Sequence, residues 1–417
     1  MNRGTEIVLA LVVCAGVATD SLAQSREKAI FVTNNQGISQ TVSSLRIGAD
    51  GRPTLVGTYY GGRLPTDCVL SDGGQFLLVV NGETSQSPAE LHTLRVASDG
   101  SLSEAWAPVA IDDGSIGAAI SKHNVVLVAS PVTDSLRSFR LTASGLQAVD
   151  VENAGAFAAR PVVSRDGLFA WCVGPNGTDD IVQYSLTPTG ELTRLGSLDV
   201  PGTGAYSAVL HPEGNAMYIA TGMGNTVRLY DVNTSTGGLS FMSETPLGGM
   251  SVVEMAIAPQ GDCLYSAHVL SDTLRVSMLS PDGSLTATSQ SYLVRADLRD
   301  VVTDGQNVWV TDESVLGGGQ VGLLSYRVNL DGSLTQNGPA VLSGSIRPQY
   351  MALWSPPPFC IGDSNRDGSV NFGDVALTLS NIGGVGPIGD ADGDGSIDFK
   401  DITAVLSSLG TCEPSRS

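Results

Sequence analysis

The chain has 417 residues, of which 42% are hydrophobic and only 15% charged, with 50 glycines and 20 prolines. That apolar content excludes wholesale disorder, and the scarcity of charged helix formers beside abundant Val, Thr, Leu and Ser favours an all-β body. A formal net charge of −20 excludes nucleic acid and anionic lipid as main partners, and it suits a protein that binds cations.

Residues 1–23 read as a signal peptide. Arg3 supplies a positive n-region, Ile7 to Ala18 a short apolar run, and Ser21-Leu22-Ala23 small residues for cleavage. The run is too short to span a bilayer comfortably, although an uncleaved anchor is the alternative, and no later stretch replaces it. The mature chain is expected to begin near Gln24 and to be secreted, at the cell surface or periplasmic. Cys68, Cys172 and Cys263 lie in apolar, strand-like runs and are expected as buried thiols.

Residues 29–355 carry a sevenfold repeat. A turn with Gly recurs at Asp50-Gly51, Asp99-Gly100, Ser144-Gly145, Thr189-Gly190, Gly237-Gly238, Asp282-Gly283 and Asp331-Gly332, its glycines 45 to 49 residues apart. Alternating segments such as Leu136 to Leu141 and Val227 to Val232 precede it. A second turn lies upstream in most repeats, as in Asp166-Gly167 and Glu213-Gly214, followed by a strongly apolar strand. About four short strands per repeat predict the blades of a β-propeller. The first repeat lacks an innermost strand, and an orphan segment, Pro348 to Ser355, follows the seventh. Pairing the two would close the ring and remove a free edge.

The blade pattern resembles the seven-bladed lactonase family, which includes 6-phosphogluconolactonase-type propellers. The resemblance rests on Phe31-Val32-Thr33-Asn34-Asn35, the Asp-Gly-x-Leu turns, and His211-Pro212-Glu213-Gly214 followed by Met217-Tyr218-Ile219-Ala220. Where that family often has Pro-Arg-His and Asn-Glu, this chain has Ala205-Tyr206-Ser207 and Thr221-Gly222. Aligning the repeats on their upstream turns places Thr66, Arg160, Ser207, Glu254, Leu298 and Met351 in one column, with Pro65, Tyr206, Val253 and Tyr350 beside it and Arg299 offset by one. Arg160, Tyr206, Glu254 and Arg299 are the candidate catalytic residues. Two guanidiniums would hold a carboxylate or phosphate and Glu254 would serve as base, unless these groups are structural ion pairs between blades. His92, His123, His211 and His268 show no metal-ligand spacing.

Residues 356–359 form a proline linker, and the texture then changes. Two twelve-residue loops place Asp363, Asn365, Asp367, Asn371 and Asp374, then Asp390, Asp392, Asp394, Asp398 and Asp401, at loop positions 1, 3, 5, 9 and 12. Gly368 and Gly395 stand at position 6, and Ser369 and Ser396 at position 7 would ligate through their carbonyls. Hard oxygens at this spacing wrap a calcium ion while the glycine allows the sharp turn, so two calcium ions are expected. Val370 and Ile397 at position 8 are expected to pair across the loops, and an apolar-periodic helix follows each loop. Cys360 and Cys412 bracket the unit and are the disulfide candidate.

Half an EF-hand used twice, with Asp at position 12, resembles a type I dockerin over residues 360–412. The resemblance implies docking onto a cohesin-like receptor or another extracellular protein, often in assemblies that degrade polysaccharide, which makes carbohydrate a further partner. Dockerins often carry small hydroxyl residues at positions 10 and 11; here these are Phe372-Gly373 and Phe399-Lys400, whose rings are expected to pack the two halves together. The expected fold is thus an all-β seven-bladed propeller with a small C-terminal α-helical calcium-binding domain. Its first functional reading is a binding or assembly scaffold tethered by the module. The alternative is an extracellular lactonase-like or carbohydrate-active hydrolase that the module delivers.

Overall fold

In the computed structural model, seven antiparallel sheets repeat around one axis, six of four strands and the seventh of five, its outer position shared by Leu334–Gln336 and Val341–Leu342. The structure describes residues 27–411 apart from 37–38, 83–87, 158, 175–178, 202–203, 223, 295–296, 314–321, 346, 357–361, 365–368, 385–388 and 393–395. The segment expected to be a signal peptide, Cys360 and Cys412 lie outside the described residues.

The burial pattern explains the strand order. The second strand of each blade is sandwiched between neighbouring blades, so both faces must be apolar, as in Val125–Ser130, Ala216–Thr221 and Cys263–His268. Outermost strands such as Leu285–Leu293 alternate instead, because one face meets water. Successive side chains of a second strand therefore enter different cores. Ala170 and Cys172 join a cluster with the preceding blade, while Trp171 and Val173 join one with the following blade.

As the sequence leads one to expect, the ring closes on the first blade. Pro348–Trp354 pairs antiparallel with Ala29–Gln36, matching Ala29 to Trp354 and Val32 to Met351. Side chains also hook each blade to the next. Trp171 Nε1 donates to Gly237 O at 2.9 Å, Tyr218 Oη to Gly283 O at 2.7 Å, and Trp309 Nε1 to Gly51 O at 2.9 Å. Each acceptor is a positive-φ glycine in the outer turn of the adjoining blade. Tyr265 stands at the equivalent register, two residues past Glu254 on the paired strand, as Tyr218 stands past Ser207. Its buried hydroxyl has no hydrogen-bond partner among the described residues. A cleft of about 790 Å³ lined by Cys263, Met278 and Gly332 opens at that seam.

After the propeller come two short helices, α1 (Phe372–Asn381) and α2 (Phe399–Ser407). Each begins with a capping box. Asn371 caps α1 with Asp374 reaching back, and Asp398 caps α2 with Asp401 reaching back. The expected pairing of Val370 with Ile397 is corrected: Ser369–Val370 pairs with Gly410–Thr411, and the Ile397 backbone bonds Gly383 and Gly384. Each loop thus ties down the segment that follows the opposite helix. A small core of Val370, Ala391, Ala404 and Val405 holds the unit, with Val375 against it. The phenylalanines do not pack the halves together, for Phe372 is 74% exposed and Phe399 75%. As the first residue of its helix, each projects from the capped end while position 12, two residues on, turns inward.

Candidate functional site

The seven innermost strands begin at one mouth of the central channel. Counting back three residues from the pair that closes each inner turn aligns Asp67, Gly117, Arg160, Ser207, Glu254, Asp300 and Met351. Register shifts between Pro65 and Asp67, Ala205 and Ser207, Val252 and Glu254, and Leu298 and Val301 bend these strands at the same level. Such bulges re-aim a side chain, here toward the axis.

Four ionisable groups meet there. Arg160 reaches from the fourth blade past Gly117 of the third, where no side chain stands in its way. Its Nη1 lies 3.5 Å from Asp67 Oδ2 and its Nη2 3.5 Å from Glu254 Oε2. The guanidinium stacks over the Tyr350 ring with its carbon 4.2 Å from the centroid. Asp67 accepts from the Cys68 and Ala118 amides, and Asp300 from those of Val301 and Met351. Glu254 Oε1 accepts the Ser207 hydroxyl at 2.5 Å and the Met255 amide at 3.2 Å.

One guanidinium among three carboxylates leaves the cluster short of positive charge. Burial pushes the Asp67 carboxyl up to about 6, against the pull of Arg160 and two amides. Burial, followed by repulsion from Glu254, raises Asp300 well above the usual carboxylate range. Burial alone would lower the Arg160 pKa, but Tyr350 and the carboxylates raise it, so this cation stays charged. The site therefore combines a fixed cation, a hydroxyl-bonded carboxylate and acids able to carry a proton near neutrality.

The sequence column foresaw Arg160, Ser207, Glu254 and Met351 at this level and missed Asp67 and Asp300. Two turn lengths explain the slip. In the second blade the glycine equivalent to Gly167 is Gly74, since Gly74 bonds Ser71 as Gly167 bonds Ser164, whereas Asp72-Gly73 matches the Asp166-Gly167 pattern by sequence and places Thr66 in the column. In the seventh blade the inner turn is two residues shorter, closing on Thr303 and Val308. Both shifts are visible once the turn hydrogen bonds are known, and Asp-Gly-Gly was the available warning for the first.

Arg299 stands at the same mouth but pairs with Glu313 rather than with the Arg160 cluster. Its Nε lies 2.5 Å from Glu313 Oε2, and Arg347 Nε lies 2.5 Å from Glu313 Oε1. Tyr206 sits on a bulge at the mouth, 37% exposed, with Gly222 close against its ring. His268 is fully buried and, by burial and then the Arg275 charge, lowered to about 4, so it holds a neutral ring bonded to Ser266.

In the C-terminal unit, Asp390, Asp392 and Asp401 each bring a ligand oxygen within 4.8 Å of the others. Two carboxylates that close repel by about 3 kcal/mol at an effective dielectric near 20. Asp401 is oriented by the Ala391, Asp392 and Asp398 amides, and Asp374 by the Asn371 amide. Asp363 is buried in the first loop, Asp398 caps α2, and Ser396 is exposed. Asn365, Asp367 and Asp394 lie outside the described residues. So does the Ser369 side chain, although its backbone forms the short strand.

Comparison with known proteins bears on the propeller. The family "Lactonase, 7-bladed beta-propeller" matches residues 6–291. No curated protein matches the sequence. Among solved structures, a candidate 6-phosphogluconolactonase from Bacteroides fragilis aligns with TM-score 0.69 at 16% identity, covering 80% of this chain and 99% of its own. A candidate 6-phosphogluconolactonase from Bacteroides uniformis gives 0.67 at 17%, covering 79% and 99%. The periplasmic gluconolactonase of Pseudomonas aeruginosa gives 0.67 at 16%, with the same coverage. At these identities the likeness is one of fold. Among the described residues no helix is long and apolar enough to cross a membrane.

Proposed function

Because the chain belongs to the lactonase family of seven-bladed β-propellers, we propose that it is an exported lactonase-like hydrolase whose working groups are those on the channel axis. The observation that carries this reading is the cluster of buried Asp67 and Asp300 with half-buried Arg160 and Glu254, at the level where all seven inner strands converge. Family membership favours the hydrolase over a non-catalytic scaffold. Glu254 takes a proton from water as its oxygen attacks the lactone carbonyl. The ring C–O bond then breaks, and the leaving alkoxide takes a proton from Asp67 or Asp300, whose raised pKa keeps one available. Arg160 faces the oxygen on which charge develops.

The test is acid release from a panel of five- and six-membered lactones, sugar lactones included, by the full chain and by Glu254→Gln. Loss of turnover by at least a hundredfold in the variant, with unchanged melting, supports the assignment. A wild-type chain that opens none of them, or a variant as active as the wild type, sinks it.

A second reading concerns residues 360–412, which we propose bind two calcium ions and dock the enzyme onto a cohesin-like extracellular protein. The convergence of Asp390, Asp392 and Asp401 supports the first part, and the solvent-facing Phe372 and Phe399 support the second. Binding of the full chain to purified cohesin domains should need calcium and weaken at least tenfold in the Phe372→Ala/Phe399→Ala variant. Equal binding by that variant removes the phenylalanines from the docking face.

A further inference from the structure

Beside the axial cluster lies a second charged group that the proposed chemistry does not use. Glu313, 1% exposed, receives Arg299 Nε on one carboxylate oxygen and Arg347 Nε on the other, each at 2.5 Å. Gln349 Nε2 adds a bond to Oε1 at 3.2 Å, and Asn35 Nδ2 holds the Gln349 carbonyl at 3.2 Å. Arg299 stands one residue before Asp300, and Arg347 immediately precedes the closing inner strand. Both therefore sit at the mouth, where the inner strands of the seventh and first blades begin.

The arithmetic of charge is what needs explaining. One guanidinium is enough to neutralise a buried carboxylate, and this one has two, so the trio carries a net positive charge on a chain of −20. Each arginine uses its Nε–H on Glu313 and keeps four N–H groups on its Nη atoms, with 35% and 40% of the side chains exposed. Among the described residues neither guanidinium has another carboxylate partner. Arg347 also holds a left-handed φ of 54°, a strained conformation for a residue with a side chain, directly before Pro348. Strain and surplus charge are thus both spent on aiming a second guanidinium at the mouth.

We propose that Arg299 and Arg347, oriented by Glu313, form a clamp that takes the carboxylate or phosphate group of a small ligand entering the channel. Paired guanidinium forks match the geometry of either oxyanion. The clamp's biological use rests on the hydrolase reading, since it would hold an anionic ligand with its uncharged part toward the axis.

The experiment titrates the full chain, without added calcium, with inorganic phosphate and separately with propionate. Saturable binding of one equivalent is expected for at least one of them, weakened at least tenfold in the Arg299→Ala/Arg347→Ala variant. The stronger of the two anions identifies which group the clamp takes. Glu254→Gln should bind as the wild type does, so loss of turnover and loss of anion binding are read separately. Should the double variant fail to fold, phenylglyoxal labelling of the wild-type chain replaces it: the bound anion protects Arg299 and Arg347, while Arg52 labels as before. No saturation by either anion, equal binding by the double variant, or no protection of the two arginines overturns the clamp.

Discussion

Asp67 is held where little water reaches its charge, and this fixes the direction of a pH effect. Its folded-state pKa is raised from the ordinary 3.8 to about 6, mainly by burial. The folded chain therefore binds this proton more tightly than the unfolded chain, and the stabilisation is complete below pH 4. It is lost as the pH rises from 4 to 6, by about 3 kcal/mol if the whole shift is expressed. Asp300 acts in the same direction. Asp67→Asn should flatten this part of the stability curve, measured by urea unfolding at half-unit pH steps. An unchanged slope would mean that the carboxyl is solvated. At this scale the sequence revealed residue types better than their partners. Arg160 and Glu254 were legible because their turns share one length, whereas Asp67, Asp300 and the Arg299–Glu313–Arg347 group depend on turn lengths and a chain closure that spacing alone does not report.

At the scale of strands and helices, the inter-blade hooks offer a comparison between two tyrosines at one register. Tyr218 donates to the buried Gly283 carbonyl, and removing its hydroxyl leaves that acceptor unsatisfied. Tyr218→Phe should cost about 1–3 kcal/mol. Tyr265 has no such bond, so Tyr265→Phe removes an unsatisfied polar group and should be neutral or stabilising. Paired denaturation curves decide the matter, and equal losses would show that the hooks contribute nothing. The strands themselves were legible, since fully apolar second strands and alternating outer strands follow from which faces meet water. The hooks were not, because Trp171, Tyr218 and Trp309 look like ordinary apolar positions until the next blade's turn is beside them. The helices were legible from their capping residues, but the direction of Phe372 and Phe399 was misread: large rings suggest packing, and only the capped backbone shows that the first helical position faces outward.

For the whole molecule the question is whether its two parts draw stability from one source. Each propeller core is shared between adjoining blades, and the seventh and first are joined by strands more than 300 residues apart in sequence. Such a ring is expected to keep its stability without ions. Among the described residues the C-terminal unit has a core cluster of four buried apolar side chains, a small amount of burial to set against the ordering of some fifty residues. It also crowds the carboxylates of Asp390, Asp392 and Asp401 together, so a bound cation would relieve repulsion as well as add ligand bonds. At a hundredfold excess over its dissociation constant, calcium adds about 2.7 kcal/mol per independent site, hence roughly 5 kcal/mol for two. Scanning calorimetry of the full chain should then show two transitions, the smaller rising with calcium and vanishing with chelator while the larger stays in place. Were both transitions to move together, the ions would be stabilising the propeller as well. Were neither to move, the carboxylate loops would not be calcium sites, and function would have to be sought at the axial cluster and the mouth arginines.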